Sequence, residues 1–543
     1  MSKVAQYLQE HLMGEVTVSP EARRHFAYDA SILRLAPAMI VYPRGEDDIR
    51  KTARFAWQLA ERGRTLPITA RGGGSDTSGA ALSSGILMVT PAHMHRILAL
   101  DPKKEFVTVE PGVSYDKLQQ TLYTHGLFLP AYPSSAGYAT IGGGLANNAV
   151  GERSVKYGDT LRYVQSLRVV LSNGEVIETA PLNRRDLNRK MGLSTLEGQI
   201  YRSLDALIEE NYETIANYQA GKRSLHNTSG YNLSAVKTKD GFNLTPLFVG
   251  SQGTLGIISE ATLKVTSHNP ATTLTMISLE KSSDLATLLP EILRLKPSLV
   301  DMINRTALEQ VAKSSPSQLA NVLDAPKAEI HLFVEFDDGK EGAQKKCTRN
   351  LVRLAERYGA YCRSADNPED QQAMWKVRQS VATILAHPFG GARAVPVAED
   401  VSVPVENLSE FLSTVENIYA KADLPAAIWG QAGSGIVRMH PILDLAQLGD
   451  RQKLFKVSHE IYSAALALGG AMSAGAGDGR VRSPYLMSAL GEPMHKLMLE
   501  VKKIFDPHGI LNPGVKTATE EQVKAMMRSE YNLAHRHEHL PRS

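Results

Sequence analysis

Residues 70–79 read ARGGGSDTSG, and they follow the run Leu66–Ala70, which predicts a β-strand. Consecutive glycines allow backbone N–H groups to approach a ligand closely and to form a concavity suited to an anion such as phosphate. Three hydroxyl side chains, Ser75, Thr77 and Ser78, add donors. The stretch is not a nucleoside-triphosphate P-loop, because Gly79 is followed by two alanines rather than by Lys and Ser or Thr. Alone, it fits a tight surface turn equally well.

Two further stretches of the chain are as rich in glycine. Residues 133–144 read PSSAGYATIGGG and continue through NNAVG at 147–151 to KYG at 156–158. Residues 250–262 read GSQGTLGIISEAT. Three glycine-dense loops in one region, two of them rich in hydroxyls, favour a large phosphate-bearing cofactor over a simple turn.

The pattern around these loops alternates short apolar runs with helical periodicity, which predicts an α+β fold. In the first half we predict strands at Ala38–Tyr42, Gly85–Val89 and Phe106–Glu110, a helix at Glu46–Arg62, and a hairpin of Val164–Leu171 with Glu175–Thr179 around Asn173-Gly174. From about Ala271 we predict a second region with strands at Thr272–Ile277 and Ile330–Phe336 and helices at Pro404–Ala422 and Arg451–Ala467.

Chain length, net charge and cysteine count narrow the classes of function that this chain could have. A chain of 543 residues is too long for one core and predicts two or three domains. The net charge of +3 gives no support to nucleic-acid binding, and the 2 cysteines, Cys347 and Cys362, are too few for an iron–sulfur cluster or a four-thiolate zinc site. With no signal peptide or apolar run of about eighteen residues, we expect a cytoplasmic protein, with peripheral membrane contact left open. His535, His537 and His539 fit a solvated tail better than a metal site.

The three loops, in this order, resemble the vanillyl-alcohol oxidase superfamily of FAD-linked oxidases over residues 36–516. Within it, the chain is most similar to D-2-hydroxyacid dehydrogenases, the group of D-lactate dehydrogenase, the D subunit of glycolate oxidase and D-2-hydroxyglutarate dehydrogenase. The resemblance implies a two-subdomain FAD-binding domain at 1–268, an α+β substrate domain at 269–487, and a segment at 488–543 that returns to the FAD domain and ends in a polar tail.

The resemblance also implies that the three loops and a closing LNPG segment at 511–514 bind FAD. Relatives with covalent FAD carry a histidine where this chain has Ser75, so we expect non-covalent binding. The implied cofactor residues are Arg71, Gly72, Gly73, Gly74, Ser75, Asp76, Thr77, Ser78, Gly79, Pro133, Ser134, Thr140, Gly142, Gly143, Asn147, Gly253, Gly256, Ile258 and Asn512.

The predicted substrate site keeps one family feature and departs from another. Arg378, in WKVR at 375–378, stands where relatives bind a substrate carboxylate, although it could also be a surface arginine. In metal-dependent relatives two histidines stand at Gln431 and Arg438, and a Glu-His pair that includes the base stands at Gly475 and Ala476. We therefore expect no metal.

The lost histidine leaves the catalytic base open. His440 is the leading candidate, with a structural role beside Pro441 as the alternative. Arg438 could replace the metal as an electrostatic partner of an anionic substrate. Arg480 and Tyr485 are weaker candidates, and Glu399 and Asp400 could orient other groups.

The predicted function is FAD-dependent oxidation of a small hydroxylated, carboxylate-bearing substrate of the 2-hydroxy acid type, by hydride transfer to flavin N5 without a metal. Two alternatives stay open, a different alcohol-type substrate on the same fold and a non-catalytic FAD-binding partner subunit. The electron acceptor could be oxygen, a quinone or a redox partner protein, and a homodimer is the default assembly.

Overall fold

A computed structural model describes residues 2–314, 328–365, 367–385 and 392–528. The three tail histidines, His535, His537 and His539, lie outside the described residues.

The first 267 residues contain thirteen of the described strands. They are β1 (Glu15–Thr17), β2 (Met39–Tyr42), β3 (Ile68–Arg71), β4 (Ile86–Val89), β5 (Ile97–Asp101), β6 (Phe106–Val109), β7 (Leu127–Phe128), β8 (Val164–Val170), β9 (Val176–Thr179), β10 (Lys237–Thr238), β11 (Gly241–Phe242), β12 (Ile257–Lys264) and β13 (Thr266–Ser267). The remaining described strands are β14 (Thr273–Leu279), β15 (Leu299–Asn304), β16 (Ile330–Phe336), β17 (Tyr361–Ala365), β18 (Arg393–Ala394), β19 (Val401–Ser402), β20 (Ala426–Gly430) and β21 (Ile436–Leu443).

Helices connect these strands and cover the sheets. Those before residue 270 are α1 (Ser2–His11), α2 (Pro20–His25), α3 (Glu46–Glu61), α4 (Tyr115–Tyr123), α5 (Ile141–Asn147), α6 (Ser154–Tyr157), α7 (Arg184–Met191), α8 (Leu196–Glu210), α9 (Tyr212–Gly221) and α10 (Thr245–Phe248). Those after it are α11 (Leu285–Arg294), α12 (Arg305–Ser314), α13 (Glu341–Glu356), α14 (Pro368–Leu385), α15 (Leu408–Lys421), α16 (Leu448–Ala467), α17 (Leu486–Phe505) and α18 (Glu520–Met526).

Two sheets built from the first half carry the glycine loops. A four-stranded sheet has the order β1-β2-β4-β3, in which β2, β4 and β3 run parallel. The apolar, mostly buried sequences of β2 and β4 are typical of parallel strands that are covered on both faces. A five-stranded antiparallel sheet has the order β5-β6-β12-β8-β9. The first loop leaves the end of β3, and the third loop leads into β12, so both sheets position the same site.

An eight-stranded antiparallel sheet is formed by the strands from β14 onward. Its main order is β17-β14-β16-β15-β20-β21-β18, and β19 pairs with β21. Strands β14 and β16 are buried along their whole length, because helices cover the sheet. An ion pair links β16 to the first half: Arg153 donates from Nε and Nη2 to Glu335, at 2.8 Å in each case.

The predicted fold class is confirmed, and most predicted elements are present with shifted ends. Strand β16 and the predicted run Ile330–Phe336 coincide, and α3 ends one residue before the predicted Arg62. Helix α15 begins at Leu408 rather than at Pro404, because the proline caps a 3₁₀ turn at 405–407 that precedes the helix. Among the described residues, no helix is both long and apolar enough to cross a membrane. The domain boundaries at 268 and 487 stay predictions.

The segment after α17 returns to the parallel sheet. Ile68 donates its N–H to the carbonyl of Ile510 at 2.7 Å, and Asn512 donates to the carbonyl of Ile68 at 2.8 Å, so Leu511 bridges β3 in parallel. Further along, Arg528 donates from Nε to Leu33 at 2.8 Å and from Nη2 to the carbonyl of Asp29 at 2.6 Å. The two ends of the described chain are therefore hydrogen-bonded to each other.

Asp29, whose carbonyl accepts from Arg528, has a fully buried carboxyl with only one of its two oxygens hydrogen-bonded within the described chain. Its Oδ1 accepts from the N–H and the hydroxyl of Ser31, whereas Oδ2 has no partner among the residues that the structure describes. Burial, with a smaller contribution from the charge of Asp76, raises the pKa of Asp29 from 3.8 to about 6. The folded protein therefore holds a proton here that the unfolded chain gives up at lower pH.

Replacing Asp29 with asparagine should stabilise the protein near neutral pH but not near pH 4. Since the folded state binds the proton more tightly, the wild type loses stability as pH rises from about 4 to 6 and does not regain it above. The expected gain is on the order of 2–3 kcal/mol in the free energy of unfolding at about pH 7. Urea unfolding midpoints of both proteins at the two pH values measure it, and an equal difference at both pH values would contradict it.

Candidate active site

A single cavity of about 860 Å³ extends from the glycine loops to the buried charges of the eight-stranded sheet. Loop residues 71–77, 133–140, 142–144, 251–253 and 256–258 line the cofactor end, and Arg378, Glu399, Arg438 and His440 line the other end. This volume is near the upper end of the range for small-molecule sites, which fits a large cofactor together with a small second ligand.

The first loop is held rigid from within. Asp76 accepts hydrogen bonds from the N–H groups of Ser78 (3.0 Å) and Ala80 (2.8 Å), and Asn147 of the second loop donates to it at 3.2 Å. Gly72 packs directly on Thr140, and a Cβ at this position would overlap the threonine hydroxyl. The glycine at 72 is therefore required for the first two loops to meet.

Arg71, the last residue of β3, is a buried cation that lines the cavity. Its Nη1 donates to the carbonyl of Ala81 at 3.3 Å, whereas Nε and Nη2 have no partner within the described parts of the chain. Burial lowers its pKa to about 10, so the guanidinium is still charged at neutral pH. Two unused donors on a buried cation need an anionic ligand, and a phosphate fits them.

Gln252 of the third loop ties the three loops together, a role that sequence analysis did not assign. Its Nε2 donates to the Ser78 hydroxyl (3.1 Å) and to Asn147 Oδ1 (3.0 Å), and its Oε1 accepts from the N–H of Gly479 at 2.7 Å. The Nε2 group also donates to the carbonyl of Ala476 at 3.2 Å, and a buried amide with these four contacts fixes loops that glycine would otherwise leave mobile. Only its place within the third glycine loop could have indicated it.

Most of the residues predicted to bind FAD line the cavity, and three do not. Ser78 and Gly79 are the last residues of the first loop, and Asn512 lies behind that loop, where it donates to the carbonyls of Ala80 (2.9 Å) and Gln252 (2.8 Å). Arg480 donates from Nη1 to the carbonyl of Gly79 and lies outside the cavity lining. The predicted residues that line the cavity are Arg71, Gly72, Gly73, Gly74, Ser75, Asp76, Thr77, Pro133, Ser134, Thr140, Gly142, Gly143, Asn147, Gly253, Gly256 and Ile258.

Arg378 is no surface arginine. It projects from α14 into the cavity wall, is 2% exposed, and donates from Nε to Asp301 on β15. Burial disfavours its charge, but Asp301 and Glu152 outweigh burial and raise the pKa of Arg378. Its Nη2 has no partner among the described residues and is available for a bound anion.

Arg438 and His440 project from alternate positions of β21 and share one acid, Glu399. Arg438 Nη1 donates to Glu399 Oε1 at 3.0 Å, and His440 Nε2 lies 3.4 Å from Glu399 Oε2. Burial opposes ionisation of Glu399, yet His440 and Arg438 outweigh it and lower the pKa of Glu399 below its ordinary range. The His440 ring also packs edge-on against Trp429, at 4.5 Å between ring centroids.

Two positions at which the family residues are replaced, Gly475 and Ala476, line the cavity and bind a buried acid through their backbone. The N–H groups of Ala474, Gly475 and Ala476 all donate to Asp400 Oδ2, at 3.0, 2.7 and 2.6 Å. Gln431 is buried away from the cavity lining. The described residues contain no group of three or more His, Cys, Asp or Glu side chains placed to hold a metal ion. The predicted absence of a metal stays a prediction.

Two known protein families match the two parts of the chain that line this cavity. Residues 37–180 match the FAD binding domain family, and residues 269–515 match the C-terminal domain of FAD linked oxidases. The chain belongs to the FAD-linked oxidases. FAD is thus the cofactor, and the uncompensated donors of Arg71 beside the glycine loops fit its diphosphate.

Individual relatives agree with this assignment. The chain is 29% identical over 526 residues to D-2-hydroxyglutarate dehydrogenase of Escherichia coli (strain K12), covering 93% of this chain and 50% of that protein. It is 27% identical over 503 residues to glycolate oxidase subunit GlcD of Bacillus subtilis (strain 168), covering 91% of this chain and 92% of that protein. It thus spans about half the length of the D-2-hydroxyglutarate dehydrogenases it matches.

A solved structure of the same fold is that of 4-ethylphenol oxidase from Gulosibacter chungangensis. The two structures superpose with a TM-score of 0.69 over 96% of this chain and 97% of the other, at 16% identity. At this level of identity the likeness concerns the fold alone.

This FAD-linked oxidase should release all of its flavin when it is denatured. Ser75 lines the cavity where the resemblance places the histidine of covalent relatives, and a serine hydroxyl forms no such bond. Acid precipitation should leave FAD in the supernatant, measured by its absorbance. Flavin fluorescence that migrates with the polypeptide on a denaturing gel would contradict the expectation.

Proposed function

We propose that the protein is an FAD-dependent dehydrogenase that oxidises a small hydroxylated carboxylate, of the 2-hydroxy acid type, without a metal. The observation that carries the proposal is the continuity of the cavity, which joins the FAD loops to the buried Arg378, the partly buried Arg438 and His440. The similarity to 2-hydroxy acid dehydrogenases supports the substrate class.

At the cofactor end, the predicted lining residues would hold FAD. Arg71 would pair with the diphosphate, because its two free donors are buried and no acid of the described chain hydrogen-bonds to it. Backbone N–H groups of the first and second loops would complete the cradle. Bound FAD supplies a two-electron acceptor, and its electrons leave to oxygen, a quinone or a redox partner protein.

At the substrate end, Arg378 would bind the carboxylate and His440 would accept the hydroxyl proton. Oxidation of an alcohol carbon needs a base near the hydroxyl, and His440 lines the cavity beside Glu399. The Glu399 carboxylate would stabilise the imidazolium formed when His440 takes the proton. Arg438 would stabilise negative charge that develops on the substrate oxygen.

Anaerobic titration of the purified protein with D- and L-2-hydroxy acids, in the presence of a chelator, tests the proposal. Bleaching of the flavin absorption bands by one acid is the expected result, and it identifies the substrate and its stereochemistry. A flavin spectrum that no hydroxy acid bleaches, while an uncharged alcohol does, would contradict the substrate class. The titration is repeated without the chelator, and bleaching that occurs only in its absence would contradict metal independence.

A further inference from the structure

Glu152 is a buried acid of the cavity that the proposed mechanism does not use. It lies within the second glycine stretch, is 2% exposed, and lines the cavity with Arg378 and His440. No hydrogen bond or ion pair engages its carboxyl anywhere in the described ranges. A buried carboxyl that faces a ligand cavity without a hydrogen-bond partner destabilises the folded protein, unless the ligand supplies that partner.

The backbone around Glu152 is fixed on both sides. Gly151 packs on the carbonyl of Tyr132, where a Cβ would overlap it. Arg153 is clamped to Glu335 and also donates to the Tyr132 hydroxyl at 3.2 Å. The Ser154 hydroxyl lies 2.8 Å from that of Ser434. Glu152 therefore presents its carboxyl to the cavity from a rigid frame, as expected of a binding residue.

The charges around Glu152 are already balanced by one another. Arg378 is paired with Asp301, Arg153 with Glu335, and Arg438 with Glu399 and Asp400. Glu152 is the carboxyl left over, and its largest attraction is to Arg378. A substrate carboxylate on Arg378 would thus face a second and a third negative charge if Glu152 and Asp301 were both ionised.

Protonation of Glu152 removes one of these two repulsions, and burial also raises the pKa of the other carboxyl, Asp301, to about 7. Burial raises the pKa of Glu152 above its ordinary value of 4.5, against the attraction of Arg378, Arg153 and Arg438. A neighbouring carboxylate raises a carboxyl pKa further, and a substrate carboxylate would do so here. A protonated carboxyl is a hydrogen-bond donor, and acids are known to serve in this form inside apolar sites.

We propose that Glu152 is a further substrate-binding residue, which takes up one proton and donates a hydrogen bond to the carboxylate held by Arg378. The inference rests on the proposed function. It makes anion binding depend on a proton, because the anion and the proton bind together. Protonation of Glu152 also makes the selectivity for acids over alcohols depend on pH, because an uncharged alcohol needs no proton at Glu152 and binds equally well at all pH values.

The test uses 2-hydroxyisobutyrate, a 2-hydroxy acid with no hydrogen on the reacting carbon, so that it binds without being oxidised. Its dissociation constant for the FAD-loaded protein is measured from the flavin absorbance between about pH 5 and 9. Calorimetry in two buffers of different ionisation heat counts the protons taken up. The proteins are the wild type, Glu152→Gln, whose amide donates without titrating, and Asp116→Asn, which removes another cavity-lining carboxylate.

In the wild type and Asp116→Asn, the dissociation constant should rise about tenfold per pH unit above the pKa of Glu152, with close to one proton taken up per anion. In Glu152→Gln it should change less than about twofold, with no proton taken up. Equal slopes in all three proteins would overturn the proposal and leave the proposed function standing. A fourth protein, Asp301→Asn, is measured in the same way, and loss of the slope in Asp301→Asn but not in Glu152→Gln would assign the proton to Asp301 and also overturn the proposal. If the probe binds none of the proteins at any pH, both proposals fail.

Discussion

Replacing His440 by alanine should slow the reduction of the bound flavin by a 2-hydroxy acid about 10²–10⁴-fold. His440 is the imidazole that lines the cavity beside Arg438, and Glu399 lies 3.4 Å from its Nε2. Alanine removes the proton acceptor but leaves Arg378 and its pair with Asp301 in place. The loss should therefore fall on the rate of reduction, while 2-hydroxyisobutyrate binds within a few-fold of its wild-type affinity.

Anaerobic stopped-flow measurement of flavin bleaching gives the rate of reduction, and titration of the flavin absorbance with 2-hydroxyisobutyrate gives the affinity. His459→Ala is the matched control, since that histidine is exposed on α16 and does not line the cavity. A loss of less than about tenfold in His440→Ala, with His459→Ala unchanged, would return His440 to the structural role beside Pro441 and leave the base unassigned.

The largest expected effect on stability comes from Lys516. Its Nζ lies 2.6 Å from Asp478 Oδ2, and both side chains are fully buried. Asp478 also accepts from the N–H of Gly230 at 2.8 Å, so it is held in place when the lysine is removed. Lys516→Met leaves a buried carboxylate without its cation, which should cost about 3–5 kcal/mol in the free energy of unfolding.

Urea unfolding midpoints measure this cost, and an exposed pair supplies the control. Lys496 lies 2.7 Å from Glu492 on α17, with both side chains about two-thirds exposed, so Lys496→Met should change stability by less than about 1 kcal/mol. The double variant Lys516→Met, Asp478→Asn should recover part of the loss, because it removes the orphaned charge. Equal midpoints for Lys516→Met and Lys496→Met would contradict the expectation.

The cofactor half of the site could be predicted from the sequence because its signal is local. Glycines, hydroxyls and the strand before them lie together in residues 66–79, and the same holds for the second and third loops. The three residues that miss the cavity show the limit of this reasoning. Ser78, Gly79 and Asn512 sit in or beside the right segments, but their side chains or backbone face inward to Gln252, Arg480 and Ala80.

The substrate half could be predicted only in part, because its groups come together through long-range pairing. Arg378 and Arg438 were indicated by resemblance, yet their partners Asp301 and Glu399 are 77 and 39 residues away in sequence. Glu152 stands in the second glycine stretch, and nothing in its neighbours indicates that it reaches the substrate end. Contacts of its neighbours with distant parts of the chain place it there, such as the ion pair of Arg153 with β16, 182 residues away, and the contact of Ser154 with Ser434, 280 residues away.

The return of the chain to β3 has a consequence for biosynthesis. Asn512 donates to the carbonyl of Ala80, 432 residues earlier, and Arg528 binds the segment at 29–33. At about 5–20 residues per second, the ribosome needs roughly 20–90 s to make the intervening chain. During that time the edge of β3 and the back of the first glycine loop lack their partners. FAD capture is therefore a late event, and nascent chains that end before residue 510 should emerge unable to retain the cofactor.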